Sequence, residues 1–149
     1  LDEEILIANG DQFISTGLPE FYRACRESGS DGCILTFTAT HPRWSFVKTD
    51  PSGQVTATAE KKPISKQATA GLYYFRRARD LVESAERMIV KGLTTIGQFF
   101  VCPVYNEMIL AGKKITTYHL PDDAMHSRGT AEDVDSLLKE MGHSRKMSD

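Results

Sequence analysis

The stretch ILIANGDQF, residues 5–13, decides how the rest of the chain is read. Ile5 to Ala8 form an apolar run that stops abruptly on Asn9-Gly10-Asp11-Gln12. A short apolar run bounded by glycine predicts a strand buried on both faces, as in a parallel sheet. Ligands of open α/β sheets gather at the carboxyl ends of strands, where Asp11 falls. Gly10 would let a ligand approach the backbone closely. A carboxylate at such a point suits Mg²⁺, which prefers oxygen donors and often uses only one or two protein carboxylates beside substrate phosphates. A turn-forming or helix-capping aspartate is the other reading of the same residue.

Working outward, LPEFYRACRES (18–28) has helical apolar spacing, with Pro19 in the first turn. CILTFTA (33–39) and ATAGLYYF (68–75) read as strands. Residues 45–49 and 54–60 read as two more, around the turn DPSG. An amphipathic helix is expected over 80–91, a second over 99–110 with Pro103 in its early part, a strand at KITTYHL, and a last helix at GTAEDVDSLLKEMG. Thr130 and Asp133 make a capping-box-like pair for that helix. Strands alternate with helices around a hairpin-like middle. The expectation is an α/β fold with a mixed, mostly parallel sheet flanked by helices. Residues 1–141 read as a single domain and 142–149 as a frayed tail.

The bulk numbers narrow the partners. A chain of 149 residues, 40% apolar and 26% charged, has an ordinary globular composition. A net charge of -2 gives no global pull toward nucleic acid or an anionic membrane. No stretch is long enough for a membrane span, and none resembles a signal peptide. Three scattered cysteines without a CxxC pair point to a reduced, cytoplasmic setting. The four histidines lack the close spacing that structural zinc needs. There is no P-loop, and no serine, histidine and aspartate in a triad order.

Two further stretches could carry chemistry. AEKKP (59–63) ends a strand with one acid and two bases, and lysine suits a phosphate; a solvated strand end is the bland reading. Gly71 inside a strand pattern suggests a bulge or a close backbone approach. RRAR (76–79) reads as surface, and Trp44 as core rather than a stacking platform.

Taken in order, ILIANGDQF, WSFVKTDPSGQVTATAEKKPISKQATAGLYYF, GQFFVCPVYNEMILAGKKITTYHL and RGTAEDVDSLLKEM resemble the sugar-nucleotide pyrophosphorylases, or sugar-phosphate nucleotidyltransferases. The flavour is that of the bacterial group tied to capsule and surface-polysaccharide synthesis. The resemblance implies that Asp11 holds Mg²⁺ and that Asn9, Gly10 and Gln12 flank the nucleotide and metal site. It gives the sugar-phosphate contact to Glu60, Lys61, Lys62 and Pro63, with Lys62 as the main phosphate ligand. It sets Gly71 beside the sugar and Gln98 where an acidic sugar ligand is usual. Ser127 stands where many members have a second metal-binding aspartate.

The Gly-rich, Arg-containing loop and the Lys-Pro pair that hold the triphosphate in this family are not among these residues. Because the chain starts on Leu1 and enters a strand at once, the expectation is an N-terminally incomplete enzyme. The implied partners are an NTP and a sugar-1-phosphate, and an unpaired sheet edge would favour homo-oligomers. The alternative is a non-catalytic sugar-phosphate or nucleotide-sugar binding module. A glycosyltransferase fits less well, because the only DxD spacing, Asp133 to Asp135, falls within an expected helix.

Overall fold

In a computed structural model, which describes residues 1–127 and 131–146, the elements follow the sequence pattern closely. They are β1 (Ile5–Ala8), β2 (Gln12–Ile14), α1 (Leu18–Glu27), β3 (Gly32–Thr38), β4 (Ser45–Thr49), β5 (Val55–Glu60) and β6 (Gln67–Phe75). α2 (Ala78–Val90), α3 (Val104–Leu110), β7 (Ile115–His119), β8 (Met125–Ser127) and α4 (Ala131–Lys146) complete the chain.

The main sheet runs β5-β4-β6-β3-β7, and β1 joins it on β6. β6 is the hub. One side of it pairs with β3 from Gly32↔Phe75 to Thr38↔Gln67. The other side is divided: its start pairs with β4 at Phe46↔Ala68, and its end with β1 from Ala8↔Leu72 to Ile5↔Phe75. Gly71 lies at the division with φ 73°. The register against β3 shifts there too, because Ile34 faces Tyr73 while Thr36 faces Thr69. β6 therefore bulges at Gly71 and forks on one side.

The α/β class and the mixed sheet agree with the sequence reading, but the parallel majority does not. Among the described residues β3 and β7 are parallel, and the other pairs of this sheet are antiparallel. For β4 and β5 the reason lies in the connection: a few residues join them, and parallel neighbours need crossovers of about a dozen residues or more. β3 and β4 are joined almost as closely but are not neighbours; they flank β6, which runs against both. β1 is likewise not buried on both faces. It pairs with β6, and Ile5 and Ile7 are half-buried while Leu6 is exposed.

Each face of the sheet carries its own core. On one, Ile34, Val47, Tyr73 and Phe75 pack with Met88 of α2 and Val104, Tyr105 and Met108 of α3. Phe75 stacks on Tyr105 at 4.6 Å, and the Tyr105 hydroxyl donates to the Tyr74 carbonyl at 2.8 Å. On the other, Cys33, Leu35, Ala70 and Tyr74 pack with Phe21 and Cys25 of α1. The three cysteines are free and buried.

Some elements differ from expectation. The helix sought over 99–110 begins at Val104 with Pro103 as its N-cap, because residues preceding a proline avoid helical geometry. The β2–β8 ribbon is too short for a periodicity to announce it. α4 continues through Lys146, into the segment read as a tail. Thr130, read as its N-cap, lies outside the described residues. Arg76 is half-buried, and its guanidinium donates to the carbonyls of Cys25, Arg26 and Ser30 at the end of α1. Among the described residues no helix is long and apolar enough to cross a membrane.

Asp80, in the first turn of α2, is 6% exposed and meets Lys113 at 2.9 Å and Arg77 at 3.1 Å. Burial alone would raise its pKa, but the two cations outweigh that and hold it below the ordinary value. A depressed carboxyl pKa contributes stability that is present above the unfolded-state value and lost as pH falls through the folded one. Asp80→Asn should lower the urea midpoint at neutral pH and flatten the acid limb below about pH 4. An unchanged acid limb in that variant would show that the pairs carry no stability.

Candidate functional site

The fork in β6 opens a cleft of about 320 Å³. Asn9, Asp11 and Gln12 reach it from the end of β1. Arg43, Trp44 and Ser45 reach it from the start of β4, and Glu60 and Lys61 from the end of β5. Thr69 and Tyr73, on either side of Gly71, contribute from β6, and Phe99 to Cys102 from the loop before α3.

Gly71 sets the spacing between the first of these segments and β6. The Asn9 amide donates to the Gly71 carbonyl at 2.8 Å, which carries the β1–β6 pairing one residue further. A Cβ on residue 71 would lie 2.0 Å from Gln12 Oε1 and 2.9 Å from Asn9 Nδ2. Glycine is thus required twice, for its positive φ and for the space its hydrogen leaves. Gln12 fills that space, and its Oε1 is buried with no hydrogen-bond partner. An unpaired buried acceptor costs about 1–3 kcal/mol. The Asp11 carboxylate is exposed and has no hydrogen bond or ion pair among the described residues.

The β4–β5 side is more tightly wired. Ser45 faces Glu60 in the register, and its hydroxyl donates to that carboxylate. The Glu60 side chain is only 6% exposed. Lys61 follows in left-handed backbone, φ 54°, with its amide bonded to the Trp44 carbonyl at 3.0 Å. Its ammonium lies 5.6 Å from the centroid of the Phe100 ring and 4.0 Å from Glu60. The Arg43 guanidinium lies 4.5 Å over Trp44, whose ring in turn meets Phe37 edge-on. Burial pushes the Cys102 thiol up to about 12, so it is no nucleophile at neutral pH. Burial also raises the Tyr73 phenol, which stays protonated beside the Thr69 hydroxyl at 2.9 Å.

The structure brings together Asn9, Asp11, Gln12, Glu60 and Lys61 in one cleft, with Gly71 beneath Gln12. It does not bring in Lys62, Gly10 or Gln98. The left-handed turn presents Lys61 to the cleft and leaves Lys62 exposed outside it. Gly10 is exposed, and a Cβ there would meet nothing within 4 Å, so no close approach demands glycine. Gln98 closes a tight turn with Thr95 and is exposed, and its neighbours Phe99 and Phe100 line the cleft instead. Sequence reasoning missed Arg43 and assigned Trp44 to the core. The available signal was register: a hairpin about DPSG puts the residues before Ser45 opposite those after Glu60.

No family model matches the chain, and no curated protein matches it. Solved structures do. A nucleoside-diphosphate-sugar pyrophosphorylase from Vibrio cholerae RC9 superposes with a TM-score of 0.80 at 27% identity, over 91% of this chain and 56% of that one. A protein from Bacillus anthracis assigned as a glucose-1-phosphate thymidylyltransferase, solved with sucrose, gives 0.70 at 15% identity, over 91% of this chain and 53% of that one.

The chain has the nucleotidyltransferase fold. It spans little more than half the length of either of these structures. Among the described residues no three His, Cys, Asp or Glu side chains cluster tightly enough to cage a metal. The free Asp11 carboxylate is a hard oxygen donor. It suits a cation that takes its remaining ligands from water and a bound phosphate.

Gly71→Ala should cost about 1–3 kcal/mol in urea unfolding, through left-handed strain and the collision with Gln12. Adding Gln12→Ala should return the collision part and leave the strain. Strict additivity of the two changes would show that Gln12 does not occupy the space above Gly71.

Proposed function

We propose that the cleft serves nucleotidyl transfer from an NTP to a sugar-1-phosphate, with this chain supplying the sugar-phosphate and cation side. An oxygen of the sugar-1-phosphate attacks the α-phosphorus, the bond from that phosphorus to the bridging oxygen breaks, and pyrophosphate leaves. The attacking oxygen is already anionic, so no general base is required. Catalysis of this kind asks the protein for positioning and charge neutralisation.

The observation that carries the reading is that Asp11 and Lys61, from segments far apart in sequence, face one cleft. Lys61 pairs with the sugar phosphate, and its seat on Phe100 limits the directions its ammonium can take. Glu60, oriented by Ser45, accepts from sugar hydroxyls. Gln12 Oε1, unpaired in the protein alone, gains a donor from the ligand. Mg²⁺, when bound through Asp11, supplies positive charge against the phosphate oxygens. The names of the two solved neighbours support the reaction class. The capsule and surface-polysaccharide role rests on the sequence resemblance alone. Three free, buried cysteines accord with a cytoplasmic setting. The second reading, a binding module without turnover, is favoured by Gln98, which lies outside the cleft.

Calorimetric titration with hexose-1-phosphates, with and without Mg²⁺, tests the assignment. Lys61→Ala should weaken binding about tenfold or more, and Lys62→Ala should leave it unchanged. Asp11→Asn should abolish the Mg²⁺-dependent gain, and pyrophosphate release with an NTP should follow the same ranking. Binding that ignores both Mg²⁺ and Asp11→Asn would favour the module and overturn the transfer reading.

A further inference from the structure

The cleft holds a second cation that neither the sequence reading nor the reaction above uses. Arg43 lies one residue before Trp44, at the start of the strand whose first residue faces Glu60. The Lys61 amide bonds to the Trp44 carbonyl, so the two cations flank one backbone contact. Each lies over an aromatic ring, Lys61 over Phe100 and Arg43 over Trp44. Edge-on contact with Phe37 fixes the Trp44 ring. The carboxylate that Arg43 meets is Asp133 of α4, at 3.6 Å, which is an ion pair without hydrogen-bond distance. The side chain is 41% exposed. Arg43 also lines the neighbouring hollow between β8 and α4, together with Asp133, so it stands on the partition between the two.

We infer that Arg43 is a phosphate-binding residue of the cleft, which Asp133 holds when no ligand is present and which leaves Asp133 for the phosphate of the ligand. The inference rests on the transfer reading and adds a residue to it. A planar guanidinium matches phosphate oxygens in a two-pronged contact that an ammonium cannot make. The contact with Asp133 is long, at 3.6 Å, and its arginine end is open to solvent, so the pair contributes little and is easily exchanged. Trp44 stays in place during the exchange and keeps the arginine close to the cleft. Lys61 and Arg43 then meet one phosphate from two directions, and the link to α4 opens as the ligand binds.

Trp44 is the only tryptophan, so its emission reports on the guanidinium above it. The experiment titrates inorganic pyrophosphate and glucose-1-phosphate into the whole chain and follows that emission, with calorimetry for affinity and thermal unfolding for each variant. Binding to wild type should change the emission. Arg43→Gln should weaken affinity about tenfold, and Arg43→Lys should recover only part of the loss. Asp133→Asn, which removes the competing carboxylate, should tighten binding severalfold.

Wild-type affinity in Arg43→Gln, with Lys61→Ala still impaired, would overturn this inference alone. So would unchanged emission on binding, or an Asp133→Asn variant weakened as much as Arg43→Gln, since a merely structural pair loses function from either side. Failure of wild type to bind either probe would overturn the transfer reading, and this inference with it.

Discussion

Everything in the cleft depends on Gly71 having no side chain. A strand as long as β6 would ordinarily keep one partner along each edge. The left-handed residue in its middle breaks the ladder, and the edge is shared between β1 and β4. The fork parts the tip of β1 from the start of β4 and the end of β5, and the cleft of about 320 Å³ lies between them. The Asn9 amide still bonds to the Gly71 carbonyl, so the loop carrying Asp11 is tied to the same residue that makes the gap. Glycine takes this left-handed geometry without strain, whereas any other residue there would be strained and would collide with its surroundings. Here the surroundings are Asn9 and Gln12, packed where a Cβ would be.

The electrostatics follow from that geometry. The chain carries little net charge, yet the cleft concentrates two carboxylates and two cations. Glu60 is nearly buried and committed to Ser45, while Asp11 is exposed and uncommitted. The two acids therefore cannot be equivalent. One is a fixed acceptor with its orientation set in advance, and the other is free to take a cation. The cations divide in the same way, because Lys61 is tied through its backbone and Arg43 through its side chain. Preorganised charge is worth most where water is excluded, and the aromatic residues of the loop before α3 narrow that side of the cleft.

Much of this was legible in the sequence. Apolar periods marked the helices, β-branched and aromatic runs marked the strands, and DPSG marked the hairpin. Asp11, Glu60 and Gly71 stood out because each interrupts a pattern its neighbours obey. What escaped depended on information a linear pattern does not hold. Parallel or antiparallel pairing is set by connection length and by which strand returns where, and a buried-looking run such as ILIA reads alike in both. Lys61 and Lys62 are chemically equal, and only the left-handed backbone at Lys61 separates them. Arg43 and Trp44 matter because of what lies across the hairpin from them, which needs the register before the residues.

The position of β1 gives that division a mechanical side. Among the described residues β1 is paired along one edge, to β6, and it lacks the lysine, proline or bulge that commonly blunts an exposed edge. Asp11 stands just beyond its end. The loop holding the cation ligand is therefore anchored through Gly71 on one flank and through the short β2–β8 ribbon on the other. Glu60 and Lys61, in contrast, extend from a strand whose whole length pairs with β4 and which packs against α3. One side of the cleft is rigid by construction, and the other is as rigid as Gly71 and the ribbon make it. A strand added to the free edge of β1 would stiffen the second side without touching the first. Such an addition would change the hold on a cation more than the hold on a sugar phosphate, because the two are fixed by different walls.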